Sequence, residues 1–305
     1  MNIEPGILPA VVTPLNEDET IDTESLERLV EHLLRTEVKG LFMGGTMGEG
    51  GALRDSEKAA LYRETVRFAR GRVPVLASVS DQGTRRVIDN VRLAEAGGVD
   101  AVVLTPRLCF PQRGEDESVR LVEAVARDSS VPVWFYENPE VSPVTSRFEI
   151  LARIAALPNV GGLKLTTKDR VLFQRCLTEI PEKLPCFNGV VSEIAFAASI
   201  GGGAISGIGS MLPGLCIRVF NAAKAGEMDE AKRYQDAINA TYAIYNGAGW
   251  PLWPSAQKHV LKRLGILRTS VATAPFLRLG PEEERAIDAV LDTFEDWILE
   301  PARVV

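Results

Sequence analysis

Histidine is almost missing from this 305-residue chain: only His32 and His259 occur, and both fall in helix-like segments. That removes histidine-based zinc sites and Ser-His-Asp chemistry from the reading. Acid–base work is left to Tyr, Lys, Asp, Glu, backbone groups or the substrate. Cysteine is sparse as well. Cys109, Cys176, Cys186 and Cys216 stand far apart with no CxxC pair, which reads as scattered buried thiols in a reducing compartment. No apolar run approaches about 18 residues, so no membrane span is expected. The opening "MNIEPGILPAVVTPLNEDE" lacks the basic and apolar regions of a signal peptide, and a cytoplasmic protein is expected. No clustered His/Asp/Glu set suggests a metal, and neither GxGxxG nor GxxxxGK[ST] follows a strand. The net charge of −7 speaks against nucleic acid or an anionic membrane as partner.

What is present is alternation. Short apolar runs at 6–14, 40–45, 73–79, 101–106, 131–136, 160–166, 186–190 and 203–208 are separated by amphipathic stretches at 22–36, 55–70, 84–97, 115–128, 145–156, 168–179 and 192–200. Eight strands spaced about 30 residues apart match an α/β fold, the (β/α)8 TIM barrel, with an open doubly wound sheet as the runner-up. The barrel is expected over 1–225, closed by a helix at 213–225. A C-terminal helical segment, 226–305, follows as an appendage packed on the barrel, with helices at 227–246, 254–266 and 281–300.

Barrel enzymes work at the C-terminal ends of their strands. The polar residues there are Thr13, Thr46, Glu49, Ser78, Ser80, Thr105, Tyr136, Glu137, Asn138, Lys164, Thr166, Thr167, Asn188 and Ser206. In "VGGLKLTT", 160–167, Leu163 and Leu165 share a face, so Lys164 takes the other. The leucines belong against helices, and Lys164 then points into the barrel mouth. By the same rule Val133 and Phe135 face outward, while Trp134 and Tyr136 face inward on the neighbouring strand. A desolvated lysine has a lowered pKa and is a nucleophile for ketones. A lysine at a strand end also often snorkels to water or pairs with a carboxylate, and alternation alone leaves both readings open.

The motifs together resemble the dihydrodipicolinate synthase / N-acetylneuraminate lyase superfamily of class I aldolases. They are "AVVTPLNEDETID", "GGTMGEGGALRDSEK", "VDAVVLTP", "VPVWFYENP", "VGGLKLTT" and "GGGAISGIGSMLP", in the expected order along the chain. The resemblance implies a Schiff base between Lys164 and pyruvate or another 2-oxo acid, with Tyr136 moving protons. It implies that Thr46 and the backbone of Gly45 to Met47 hold the acid's carboxylate. Ile205 would line the pocket and Gly189 would leave it room. Glu49 would bond the turn's own backbone. No cofactor is implied beyond the covalent lysine imine, the partners are a small 2-oxo acid and an aldehyde, and the assembly is a homotetramer or homodimer.

Departures narrow the expectation. Met47 stands where synthases carry a second threonine, Arg107 and Leu108 where they carry a tyrosine pair, and Val141 where an arginine grips the aldehyde's carboxylate. "FYENPEV" resembles the Y-A-N-P-E element of hydroxybenzylidenepyruvate hydratase-aldolases. The expectation is therefore a lyase acting on pyruvate and an aromatic or apolar aldehyde, not dihydrodipicolinate synthase proper. Met47, Arg107, Phe110, Trp134 and Asn138 are the candidates to shape that distal wall. Trp250 and Trp253 are expected to pack within the appendage. A hydro-lyase acting on a 2-oxo-3-deoxy sugar acid and a non-catalytic 2-oxo-acid-binding barrel are the alternatives.

Overall fold

Side-chain alternation decides the architecture. In the computed structural model, which describes residues 3–106, 113–114, 116–142, 145–182, 184–246 and 254–293, eight parallel strands form one sheet. They are β1 (Ile7–Pro9), β2 (Leu41–Met43), β3 (Val75–Ser78), β4 (Ala101–Leu104), β5 (Val133–Glu137), β6 (Val160–Leu165), β7 (Cys186–Asn188) and β8 (Gly203–Ser206). Their order is β1-β8-β7-β6-β5-β4-β3-β2. The ring closes where Ala10 bridges Phe42 in parallel and the Val11 N–H donates to the Phe42 carbonyl at 2.9 Å. This is the expected (β/α)8 TIM barrel.

Between the strands run α1 (Thr23–Leu34), α2 (Asp55–Ala69), α3 (Thr84–Ala96), α4 (Asp116–Asp128), α5 (Phe148–Ala155), α6 (Arg170–Thr178) and α7 (Ile194–Ser199). Then come α8 (Pro213–Lys224), α9 (Met228–Asn246), α10 (Ser255–Arg263) and α11 (Pro281–Thr293). Asp22 caps α1 as its position suggests, its Oδ1 accepting the Ser25 N–H at 3.0 Å. The first strand is shorter than its apolar run, and beyond Pro9 the Ala10 N–H still donates to the Ser206 carbonyl at 3.0 Å. Helix α5 begins later than expected because the Glu137 carboxylate takes the Ser146 N–H at 2.8 Å. The expected helix at 281–300 is described as far as Thr293, and Arg107, Leu108, Cys109, Phe110, Trp250 and Trp253 lie outside the described residues.

Two apolar layers follow from the two strand faces. Val133, Phe135, Leu163 and Leu165 pack outward with the helices. Leu8, Phe42, Leu76, Ala101, Val103, Trp134, Tyr136, Phe187 and Ile205 fill the barrel. Trp134 is fully enclosed there, its ring 5.5 Å from that of Phe187. Gly162 makes this possible, since a Cβ at that position would come within 2.6 Å of the indole. A bulge between Val133 and Trp134 then sets the β5–β6 register, which puts Tyr136 opposite Lys164.

The C-terminal segment is tied to the barrel by directed contacts. Arg268 reaches both carboxylate oxygens of Asp22 at 2.8 Å. The Thr269 hydroxyl donates to the Leu15 carbonyl at 2.7 Å, and Arg28 Nε donates to the Ile266 carbonyl at 2.9 Å.

Candidate active site

Lys164 rises from β6 into the barrel mouth and is only 4% exposed. Its Nζ lies 3.7 Å from the centroid of the Tyr136 ring and 4.7 Å from that of Phe42. Among the described residues no carboxylate forms a salt bridge with it, so the aromatic faces and the phenol oxygen are its company. Burial pushes the ammonium below the ordinary lysine range, and the negative end of Tyr136 only partly opposes this. The tyrosine feels the reverse. Burial pushes its phenol up, but the Lys164 charge and the hydroxyls of Thr166 and Thr46 outweigh burial and hold it lower than usual. Asn138 Nδ2 donates to the Tyr136 hydroxyl oxygen at 2.8 Å, which leaves the phenol's own hydrogen free to point elsewhere.

The turn after β2 meets this pair from the opposite wall. The N–H groups of Thr46 and Met47 carry no hydrogen bond among the described residues, so two donors stand ready at a glycine-rich turn. Thr13 on the β1 side holds the turn, its hydroxyl donating to the Gly48 carbonyl at 2.6 Å.

Two cavities open here and share Thr46 and Tyr136. The inner one, about 70 Å³, is lined by Lys164, Thr166, Gly189, Ile205, Asn138 and Met47 among others. Gly189 is needed beside the lysine, because a Cβ there would overlap the Thr166 hydroxyl and stand 3.3 Å from Lys164 Cε. The outer cavity, about 250 Å³, carries Ser78, Ser80, Thr105, Lys58, Val141 and Phe276.

Several strand-end residues lie away from this chemistry. Glu137 faces outward, buried, with its carboxyl pushed up by desolvation. Asn188 ties loops together, donating to the Thr167 carbonyl at 3.0 Å and accepting the Val190 N–H at 2.8 Å. Ser206 is enclosed at the end of β8, opposite Pro9 of β1. Trp134, expected at the distal wall, is the barrel's filling instead, because its strand position is two residues below Tyr136.

Glu49 departs from expectation in its partners. Its carboxylate does not bond its own turn. Oε1 pairs with Lys258 Nζ at 2.5 Å, and Oε2 accepts the Thr273 N–H at 2.6 Å and the Thr273 hydroxyl at 2.9 Å. Both charged side chains are fully enclosed. Lys258 also donates to the Val271 carbonyl at 2.7 Å. The signal was present in the sequence: Lys258 lies on the apolar stripe of α10 beside Leu261, with no acid one turn away to pair with it.

A TIM barrel whose mouth holds a desolvated lysine against a tyrosine defines a class of enzyme, the class I aldolase type of carbon–carbon lyase. The chain matches the dihydrodipicolinate synthetase family over residues 4–294, and it belongs to that family. A 4-hydroxy-tetrahydrodipicolinate synthase of Chelativorans is 32% identical, covering 94% of this chain and 97% of the relative. One from Phenylobacterium zucineum is 31% identical over 95% of this chain and 96% of its own length. Among solved structures, the dihydrodipicolinate synthase of Bacteroides thetaiotaomicron superposes with a TM-score of 0.88 at 32% identity, covering 96% of this chain and all of that one (100%).

These relatives overturn the expectation that set dihydrodipicolinate synthase chemistry aside in favour of an aromatic or apolar aldehyde. The physical reason is in the outer cavity. Its wall carries the hydroxyl residues Ser78, Ser80 and Thr105 and the cation Lys58, while Trp134 contributes nothing to it. Single changes at Met47 and Val141 leave those polar groups in place. Among the described residues no helix is long and apolar enough to cross a membrane, and no group of three His, Cys, Asp or Glu side chains is placed to hold a metal.

Proposed function

We propose that the protein joins a 2-oxo acid, pyruvate in the first instance, to an aldehyde through an imine on Lys164. The observation that carries this reading is the amine of Lys164, 4% exposed and seated against Tyr136. The free amine attacks the ketone carbon, and the carbinolamine oxygen leaves as water with a proton passed through Tyr136. The cationic imine acidifies the neighbouring methyl group. Loss of that proton gives an enamine, whose carbon attacks the aldehyde. Tyr136 returns a proton to the new alkoxide, and water releases the product and frees Lys164. Thr46 and the donors of its turn hold the 2-oxo acid's carboxylate. Gly189 and Ile205 shape the inner cavity around the three-carbon unit.

The names of the relatives indicate the second substrate. A dicarboxylate product built on one 2-oxo acid requires an aldehyde that brings the other carboxylate. The outer cavity, which shares Thr46 and Tyr136 with the inner one, gives the aldehyde room beside the imine. A homotetramer or homodimer is part of the same proposal, and sedimentation mass reads it.

Borohydride reduction in the presence of pyruvate should leave a stable adduct, and peptide mass mapping should place it on Lys164. An unmodified Lys164 under conditions where the enzyme turns over would overturn the reading. Tyr136→Phe should lower kcat by roughly 10²–10⁴-fold, since it removes the proton carrier but leaves the amine. Stopped-flow measurement of imine formation and product release separates the two effects. An unchanged kcat assigns proton transfer to another group.

A further inference from the structure

Gln257 sits on α10, one residue before the lysine that pairs with Glu49. It is 0% exposed, and neither its Nε2 nor its Oε1 has a hydrogen-bond partner among the described residues. A buried primary amide with both ends unmet is rare, because each unmet atom carries its full desolvation cost. Such a group is either a defect or a receptor for something not yet bound.

Its position favours a receptor. Gly207, which follows β8, lines the inner cavity with Lys164 and Met47. A Cβ on Gly207 would meet Met47 Cε at 2.5 Å and Gln257 Nε2 at 3.4 Å. The missing side chain therefore lets the thioether and the amide come together at one edge of the site. Met47 is only partly buried and unbranched, so its side chain can turn aside at small cost. The helix turn that carries Gln257 is held in place. The next residue, Lys258, is anchored to Glu49 in the same turn that presents Thr46. Lys164 and Glu140 are the charged side chains lining the inner cavity among the described residues, and with Lys164 taken up in the imine no cation is left there for an oxygen-bearing substituent.

We propose that Gln257 is a specificity-determining residue. Its amide binds an oxygen substituent, carboxylate or hydroxyl, on the aldehyde substrate once Met47 has turned away. This deepens the Schiff-base reading above and rests on it.

The test compares the wild type with Gln257→Leu, which keeps the length and removes both polar atoms. With pyruvate saturating, initial rates are measured with succinic semialdehyde, glyceraldehyde and propanal. The variant should raise KM about tenfold or more for an oxygenated aldehyde and leave propanal unchanged. The larger of the two oxygenated losses identifies carboxylate or hydroxyl. The pyruvate KM and the yield of borohydride adduct on Lys164 should not change. The thermal midpoint should hold or rise, because the unmet amide is gone. An equal loss for all three aldehydes, no loss for any, or a fall in the midpoint overturns the role of Gln257. Absence of the Lys164 adduct from the wild type overturns the underlying chemistry instead, so the two failures are separable.

Discussion

Lys164→Ala is expected to lower kcat by roughly 10⁴–10⁶-fold, the scale seen when a covalent nucleophile is removed. No borohydride adduct should form at that strand. Lys164→Arg should not rescue activity, because a guanidinium stays charged and does not form the imine. The pH profile should carry the signature of burial. The lysine's pKa is pulled down by desolvation, so kcat/KM for the 2-oxo acid should rise with pH through a value below the ordinary lysine range, then level off. Stability moves with pH in a linked way. The unfolded chain holds this proton more tightly than the folded one. Folding is therefore penalised below the depressed pKa, and the penalty is relieved as pH rises from there to the ordinary lysine value. Lys164→Met should remove that slope and raise the thermal midpoint at neutral pH. A midpoint that falls, with the slope intact, would mean that the ammonium is well solvated in the barrel.

Lys258→Met is expected to destabilise the fold by about 3–5 kcal/mol, because the fully enclosed Glu49 carboxylate is left without its cation. Glu49→Gln should cost a comparable amount by stranding Lys258. The double variant should recover most of the loss, since it removes both charges from the interior. Denaturant unfolding measures all three. A loss under about 1 kcal/mol for Lys258→Met, the scale of an exposed pair, would set the pair's structural role aside. The same variant should raise KM for the 2-oxo acid, because Glu49 belongs to the turn whose Thr46 and Met47 line the inner cavity.

The barrel was legible in the repeat of short apolar runs and helical stretches, and the lysine–tyrosine pair in period-two alternation. Leu163 and Leu165 turn outward, Lys164 inward, and the same arithmetic applied one strand away turns Tyr136 toward it. Alternation is local, so a sequence carries it. The distal wall was misread because it is not local. Trp134 shares the inward face with Tyr136, yet depth along the strand, not facing, puts it in the barrel's filling. Ser78, Ser80 and Thr105 were visible as strand-end residues, but Lys58 comes from helix α2, and nothing in its spacing places it with them. Glu49 was recognised as structural, but its partners lie more than 200 positions along the chain at Lys258 and Thr273. The departure at Met47 was visible, but its neighbour Gln257 was not, because Gly207 marks their meeting by what it lacks.

The Glu49 contacts also set an order of events during synthesis. The strands and helices of the barrel, through α8, are synthesised before Lys258 and Thr273. Until then an acid meant for the interior has only water to answer it, and the turn at Thr46 has no anchor. Lys164 can thus be in place on its strand while the site is still unfinished. A nascent or clipped chain that lacks the last helices is expected to be a poor catalyst, so the C-terminal segment acts as a completion signal for the active site.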